Sequence, residues 1–306
     1  MYIPQKLEIE TVRGICTATC PMCSIEKTRY NKSVMNIDKF QAIIDSFKEN
    51  ISKVKRVNLV GLGETLADKR LPLKIAYLKE KSPSTYVAFP SNGSLLREKM
   101  SIDILEAGLD EIIMGVDSLN KAKFEKVRRD LIFEEVLENT LNHISIRNKH
   151  NFNHKIMVRM IINKENENEW DDYKEYWSKH LDFSKGDAVL YFREHNWADH
   201  EYENAVDAPK VIPKSCKCYY IYDRLCIDAH GNVKLCCIDI NADWFPLGNV
   251  LTTDPISLFN SQLFTDFRTL MDKGEINKIK PCSTCDVPAE RENRGFYNAG
   301  QATQFV

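Results

Sequence analysis

Apolar runs with the length of β-strands alternate with amphipathic segments of helical length from residue 6 to residue 194. The apolar runs are residues 6–12, 56–62, 85–91, 111–117, 155–162 and 188–194. Several are nearly continuous in Val, Ile, Leu and Met, which is typical of parallel strands covered on both faces. Helical patterns separate them at residues 37–53, 67–81, 94–108, 123–148 and 167–181. The alternation predicts an α/β fold of right-handed βαβ units, a partial (β/α)6 barrel with a parallel sheet, because six repeats are too few to close an eight-stranded barrel.

The pattern changes after residue 205. Residues 222–240 predict a β-hairpin whose turn falls at "AHGN", and residues 254–274 predict a helix. A Cys-x-x-Cys turn follows within residues 280–286. We therefore expect two domains, a partial barrel at 1–205 and a small metal-bearing C-terminal domain with a hairpin and a helix at 206–306.

The ten cysteines fall into two groups with none between Cys23 and Cys216. Cys16, Cys20 and Cys23 follow the first predicted strand directly, and seven more lie from Cys216 to Cys285. Three thiolates from one loop leave one corner of an iron–sulfur cube without a protein ligand, whereas zinc needs a fourth ligand. The first group therefore favours an iron–sulfur cluster that has a vacant iron, with zinc as the alternative.

Composition argues against several classes of function. Charged residues make up 28% of the chain and the net charge is −2, with no basic stripe of the kind that binds nucleic acid. The N-terminus has no secretion signal, and no apolar run approaches the length of a membrane span. We expect a cytoplasmic protein with no nucleic-acid or membrane partner. Cytosolic thiols stay reduced, so the cysteines point to metal or catalysis rather than disulfides.

The spacing Cys-x3-Cys-x2-Cys after a first strand is joined by the segment "VGLGETL" at residues 60–66, after the second. Together they resemble the signature of the radical S-adenosylmethionine (radical SAM) superfamily. The resemblance implies that Cys16, Cys20 and Cys23 hold a 4Fe–4S cluster whose fourth iron binds SAM. A glycine-bearing βα turn by itself is more often only a turn.

Within that segment the resemblance implies that backbone at Gly61 and Gly63 and the carboxylate of Glu64 hold the ammonium group of SAM. Glycine lets backbone approach a ligand closely, and an acid pairs with a cation. Thr65 stands where the family usually has proline, so the local turn can differ.

The resemblance implies further SAM contacts at Met22, Ser91, Asn92, Asp117, Ser118 and Arg159. Met22 occupies the position that borders adenine in the family. Ser91 and Asn92 occupy the positions that contact ribose in the family. Ser91 and Asn92 fit a helix cap and turn equally well. Arg159 is a candidate for the SAM carboxylate, with a structural salt bridge as the alternative.

The later cysteines resemble the auxiliary-cluster domains called SPASM, or twitch in their shortened form. The resemblance implies that Cys218, Cys236, Cys282 and Cys285 complete one auxiliary 4Fe–4S cluster. No cysteine follows Cys285, which favours the twitch form. A four-cysteine zinc ribbon remains open, Cys216 competes with Cys218, and the roles of Cys226 and Cys237 are undetermined.

For a radical SAM enzyme, the resemblance implies that SAM is cleaved reductively to a 5′-deoxyadenosyl radical, which abstracts a substrate hydrogen. An auxiliary cluster without an open iron suggests a dehydrogenase-type oxidoreductase that oxidises an alcohol and passes an electron to that cluster. Candidate bases are Glu194, His195, Asp117 and Arg193. The implied electron donor is a protein such as flavodoxin or ferredoxin. A sugar epimerase and a peptide-modifying maturase, which cross-links or oxidises thiols, are the alternatives.

The first predicted strand begins within the first dozen residues, which leaves no room before it for the peptide-recognition domain of many peptide-modifying relatives. We therefore expect a small polar substrate, a sugar or cyclitol. The segment 191–202 is rich in polar and aromatic side chains and either lines the substrate pocket or forms a solvated linker.

Overall fold

The computed structural model describes residues 1–28, 31–194, 196–198, 218–287 and 295–297. The strands are β1 (Lys6–Ile9), β2 (Val12–Arg13), β3 (Ser33–Val34), β4 (Arg56–Leu59), β5 (Tyr86–Ser91), β6 (Glu111–Gly115), β7 (Lys155–Ile162), β8 (Ala188–Arg193), β9 (Arg224–Ile227), β10 (Val233–Lys234) and β11 (Gly295–Tyr297). The α-helices are α1 (Ile37–Ser46), α2 (Leu71–Lys81), α3 (Glu98–Glu106), α4 (Lys121–Val127), α5 (Phe133–Lys149), α6 (Trp170–Ser178), α7 (Tyr220–Asp223), α8 (Pro255–Phe259) and α9 (Gln262–Asp272).

The main sheet has the strand order β10-β9-β1-β4-β5-β6-β7-β8-β11. The six predicted strands, β1 and β4 to β8, lie side by side in chain order, and each pairs with its neighbours in parallel. Between them the helices follow the predicted alternation, and residues 123–148 form parts of two helices, α4 and α5. The α/β fold with a parallel sheet is confirmed, and its carboxyl strand ends meet at one edge.

The alternation of apolar and polar residues along the strands and helices explains how the sheet packs against the helices. Leu7 and Ile9 of β1 and Val57 and Leu59 of β4 alternate with polar residues and are fully buried in the core. Helix α1 contributes a buried face that includes Phe40. Alternate strand residues therefore pack against the helices, which leaves the other face of the sheet for the barrel interior.

The C-terminal hairpin extends the barrel sheet instead of forming a separate sheet. β9 pairs in parallel with β1, placing Arg224 beside Lys6 and Cys226 beside Glu8. β10 then pairs with β9 in antiparallel fashion. The predicted hairpin is confirmed, and its attachment to β1 is a finding that local sequence patterns did not indicate. The predicted domain boundary at 205/206 lies outside the described residues and stays a prediction.

None of the described helices combines the length and apolar composition that a membrane crossing needs.

Candidate functional site

A cavity of about 350 Å³ opens at the carboxyl ends of the parallel strands. Its walls include all three cysteines of the first group, the glycines and glutamate of "VGLGETL", and the ends of β5, β7 and β8. The predicted site residues that line it are Cys16, Cys20, Met22, Cys23, Gly61, Gly63, Glu64, Ser91, Asn92, Arg159, Arg193 and Glu194. The fold therefore brings most of the predicted residues to one place.

The first cysteine group lies on a loop whose sulfur atoms face hydrogen-bond donors. The Ala18 backbone N–H and the Asn92 side-chain amide donate to Cys16 Sγ at 3.4 and 3.5 Å. Arg128 Nη1 lies 3.7 Å from Cys20 Sγ. Donors and a cation around sulfur stabilise thiolate ligands of a metal group. Burial raises the pKa of the Cys23 thiol to about 12, so a thiolate there needs the positive charge of bound iron. The residues fit a cluster with three cysteine ligands.

Neighbouring atoms lie so close to the turn "VGLGETL" that its two glycines have no room for a side chain. A Cβ at Gly61 would lie 2.2 Å from Glu10 Cγ, and one at Gly63 would lie 2.7 Å from the Val12 carbonyl oxygen. The Glu64 backbone N–H donates to the Ile15 carbonyl at 2.8 Å, directly before the first cysteine. The turn therefore packs against the cysteine loop and fixes its position relative to β4.

Glu64 is 3% exposed, and its carboxylate is held by three donors. The Ser91 hydroxyl donates to it at 2.8 Å, the Asn92 backbone N–H at 2.9 Å and the Leu66 backbone N–H at 3.1 Å. Burial raises the pKa of Glu64, and a cation brought into the cavity would offset that burial. Thr65, which replaces the expected proline, donates its hydroxyl to the Leu59 carbonyl at 3.1 Å.

Ser91 and Asn92 make contacts within the protein, and the ribose contact that the resemblance implies stays a prediction. Ser91 orients Glu64, whereas the Asn92 side chain donates to Thr17 Oγ1 at 3.0 Å and so ties the cysteine loop to β5. Both residues still border the cavity.

Asp117 is fully buried and does not line the cavity. Its Oδ2 accepts from Arg128 Nε at 2.5 Å, and its Oδ1 accepts from the Ile161 backbone N–H at 2.8 Å. Ser118 also lies away from the cavity and donates to Glu169 at 2.6 Å. Arg128, which sequence reasoning missed, lines the cavity in their place. The pair of arginines at residues 128–129, directly after α4, was the sequence feature that could have indicated Arg128 as a site residue.

Glu194, at the end of β8, is 6% exposed and faces the cavity. Among the described residues its side chain has no hydrogen-bond or ion-pair partner. Burial, together with the nearby charge of Asp117, raises the pKa of Glu194 to about 7. Arg159 and Arg193 line the same region, and Arg159 lies over the Phe192 ring at 5.6 Å. His195 lies outside the described residues.

The segment 196–198 connects the two cysteine regions. The Trp197 indole N–H donates to the Met22 carbonyl at 3.1 Å, beside Cys23. The Asn196 backbone N–H donates to both carboxylate oxygens of Asp286 at 2.9 and 3.0 Å, and its side chain donates to the Thr284 carbonyl at 2.7 Å. One short segment therefore contacts both cysteine loops.

A second, apolar cavity gathers the other predicted ligands, Cys218, Cys236, Cys282 and Cys285. All its remaining lining residues are apolar or aromatic. Burial raises the pKa of Cys236 strongly and that of Cys282 to about 12, so four thiolates there also need bound metal. Four cysteines that line one apolar pocket fit a cluster in which every iron has a protein ligand. Cys216 lies outside the described residues.

The two other C-terminal cysteines are separate from this set. Cys226 is 1% exposed in β9 and its Sγ lies 3.4 Å from Glu8 Oε2. Cys237 lines the first cavity together with Lys234 and Glu8. Sequence reasoning missed Lys234, because a single lysine in a short strand is ordinarily exposed.

Comparison with protein families agrees with this geometry. The model of the radical SAM superfamily matches residues 12–176. The model of an iron–sulfur cluster-binding domain, SPASM, matches residues 216–286. The second match covers all four cysteines of the apolar cavity and favours a cluster over a zinc ribbon.

Relatives with curated names match only part of their length. GTP 3′,8-cyclase 2 of Pseudomonas aeruginosa is 27% identical over 130 residues, which cover 42% of this chain and 38% of that protein. GTP 3′,8-cyclase of Aliarcobacter butzleri is 28% identical over 124 residues, which cover 40% and 38%. The chain therefore spans well under half the length of these relatives.

Solved structures resemble nearly the whole chain. BtrN in complex with AdoMet and 2-DOIA has a TM-score of 0.60 at 18% identity, covering 94% of this chain and 93% of that one. anSMEcpe with AdoMet and the Cp18Cys peptide has a TM-score of 0.66 at 14% identity, covering 88% and 83%. SuiB of Streptococcus suis bound to the precursor peptide SuiA has a TM-score of 0.67 at 11% identity, covering 88% and 67%. At such identities the likeness shows a shared fold.

The two family matches lie in the order that the two cysteine sets require, and the cofactors they indicate are a SAM-binding 4Fe–4S cluster, an auxiliary cluster and SAM. This chain belongs to the radical SAM superfamily and carries a SPASM iron–sulfur domain.

Proposed function

We propose that this radical SAM enzyme is a dehydrogenase that oxidises a hydroxyl group of a small, polar, sugar- or cyclitol-like substrate. The observation that carries the proposal is Glu194, a buried carboxylate without a partner among the described residues, in the cavity that the first cysteine group lines. Charged side chains that line the same cavity, among them Arg193 and Lys234, suit a polar substrate.

Each cofactor has a set of residues to hold it. Cys16, Cys20 and Cys23 would hold the SAM-binding cluster, with Glu64 aimed at the SAM ammonium and Met22 beside the cavity. The four cysteines of the apolar cavity would hold the auxiliary cluster. When bound, SAM and its cluster would supply a 5′-deoxyadenosyl radical to take a hydrogen atom from the carbinol carbon, and the auxiliary cluster would accept the second electron.

Glu194 supplies the proton transfer that this oxidation needs. The O–H bond of the alcohol breaks as the carbonyl forms, and its proton moves to a Glu194 carboxylate oxygen. A base with a pKa of about 7 is matched to this task near neutral pH. Arg128 stabilises the Cys20 sulfur, and Asp117 positions Arg128 through their 2.5 Å ion pair.

An anaerobic assay with SAM, a strong reductant and candidate alcohols tests the proposal. Oxidation predicts 5′-deoxyadenosine together with a product lighter than its substrate by two hydrogens. Glu194→Gln should still form 5′-deoxyadenosine but should yield little oxidised product. Oxidised product at the wild-type rate from Glu194→Gln would refute the role given to Glu194.

Epimerisation of a sugar is the second candidate, because Cys237 lines the cavity and stands apart from the four auxiliary cysteines. A substrate radical could take the hydrogen atom of the Cys237 S–H group on the opposite face, and the assay reductant would then restore the thiol.

Deuterated water separates the two candidates. Epimerisation incorporates one solvent deuterium at carbon without loss of hydrogen, and Cys237→Ala abolishes it. Dehydrogenation leaves product formation in Cys237→Ala intact.

A further inference from the structure

Lys234 is a buried cation that faces the cavity. The residue is 5% exposed and lines the cavity from β10, beside Glu8 and Cys237. Its register places it opposite Cys226, which in turn lies opposite Glu8, so the three side chains share one face of the sheet. Among the described residues its ammonium group has neither a hydrogen bond nor an ion pair.

Two of the acidic side chains near Lys234 are already engaged by arginines. Glu8 Oε1 forms an ion pair with Arg224, and its Oε2 accepts from Cys226 Sγ at 3.4 Å. Glu10 Oε2 lies 3.0 Å from Arg13 Nη1.

The remaining Glu10 oxygen, Oε1, accepts from the Leu62 backbone N–H at 2.9 Å. Glu8, Glu10 and Asp239 act on the Lys234 charge only at a distance. Among the described residues, none of these acids forms a hydrogen bond or an ion pair with the Lys234 ammonium group.

An unpaired ammonium at this depth is costly unless a partner arrives. Burying a charge without a direct partner is unfavourable, whereas charge-assisted hydrogen bonds to an oxyanion recover much of that cost. Glu64, which we assign to the SAM ammonium, lies on the segment after β4, whereas Lys234 extends from the β9–β10 hairpin. The two charges are opposite in sign and line the cavity from different elements of the fold.

We propose that Lys234 binds an oxyanion of the substrate, a phosphate or carboxylate group, so that the alcohol this enzyme oxidises is an anionic sugar or cyclitol derivative. This rests on the proposed dehydrogenase function. A cationic amine at the same position would meet Lys234 as a like charge, so an amine-bearing substrate must direct that group elsewhere.

Equilibrium dialysis of the reconstituted holoenzyme tests the binding step with inorganic phosphate and acetate as separate probes, in the presence of SAM. Lys234→Met matches the side chain in length and removes the charge. We expect it to weaken binding of the preferred probe by roughly 10- to 100-fold, the value of one charge-assisted contact. Lys234→Arg keeps the charge and should retain binding. The matched control is Lys273→Met, which changes an exposed lysine outside the cavity.

Preference for phosphate points to a phosphorylated substrate, and preference for acetate to a carboxylated one. Wild-type protein that binds neither probe overturns the proposal, as does a Lys234→Met variant that binds like wild type. An equal loss of SAM affinity in Lys234→Met also overturns it, because Lys234 would then belong to the SAM site. If Lys234-dependent binding is found but no anionic alcohol is oxidised, the dehydrogenase proposal fails and the anion site stands.

Discussion

Replacing Glu194 with Gln should remove the dependence of product formation on pH while leaving SAM cleavage in place. Burial is the larger cause of the raised pKa, which lies at about 7, and the nearby Asp117 charge is the smaller one. The base is active when ionised, so activity rises as pH rises through the pKa. About one tenth of the carboxylate is ionised at pH 6 and about nine tenths at pH 8, which predicts a roughly tenfold rise in rate.

The assay is the initial rate of oxidised product per 5′-deoxyadenosine across that pH range. Glu194→Gln should lower the product rate by about 10²- to 10⁴-fold, the usual value of a positioned base, and flatten the profile. Glu80→Gln, an exposed residue of α2, is the matched control. Asp117→Asn should move the midpoint to lower pH, because it removes a negative charge and releases the positive charge of Arg128. An unchanged profile in Glu194→Gln would refute the reasoning.

Three further changes test other parts of the structure. Cys20→Ala should abolish 5′-deoxyadenosine formation and remove about half of the iron, measured after anaerobic reconstitution; retained SAM cleavage would contradict the cluster assignment. Cys282→Ala should also lose about half of the iron but keep 5′-deoxyadenosine formation, with product oxidation lost; full iron content would contradict the auxiliary site. Gly61→Ala should lower the free energy of unfolding by about 3 kcal/mol, because its Cβ would lie 2.2 Å from Glu10 Cγ. Denaturant unfolding measures that change, and wild-type stability would contradict the packing argument.

The parallel sheet could be predicted because its strands carry local apolar patterns, and chain order largely fixes which strands pair. The pairing of β9 with β1 could not, because it joins Arg224 to Lys6 across almost the whole chain, with no local pattern to indicate it.

Part of the candidate site could be predicted from the sequence, and part could not. The cysteine spacing predicted which thiols lie together. Whether an acidic side chain faces a cavity or binds another side chain depends on tertiary packing, which the spacing does not show. Asp117 and Glu194 both follow apolar runs, yet the oxygens of Asp117 bind Arg128 and Ile161, whereas Glu194 faces the cavity. Lys234 was missed for the same reason, since burial of a lysine cannot be read from its neighbours in sequence.

The short segment 196–198 has a consequence for how the holoenzyme assembles. Trp197 contacts the Met22 carbonyl, and Asn196 contacts Asp286, so order in one cysteine loop favours order in the other. Ligand binding that orders a shared element is cooperative even without direct contact between the ligands. Installation of either cluster should therefore raise the affinity of the apoprotein for the other.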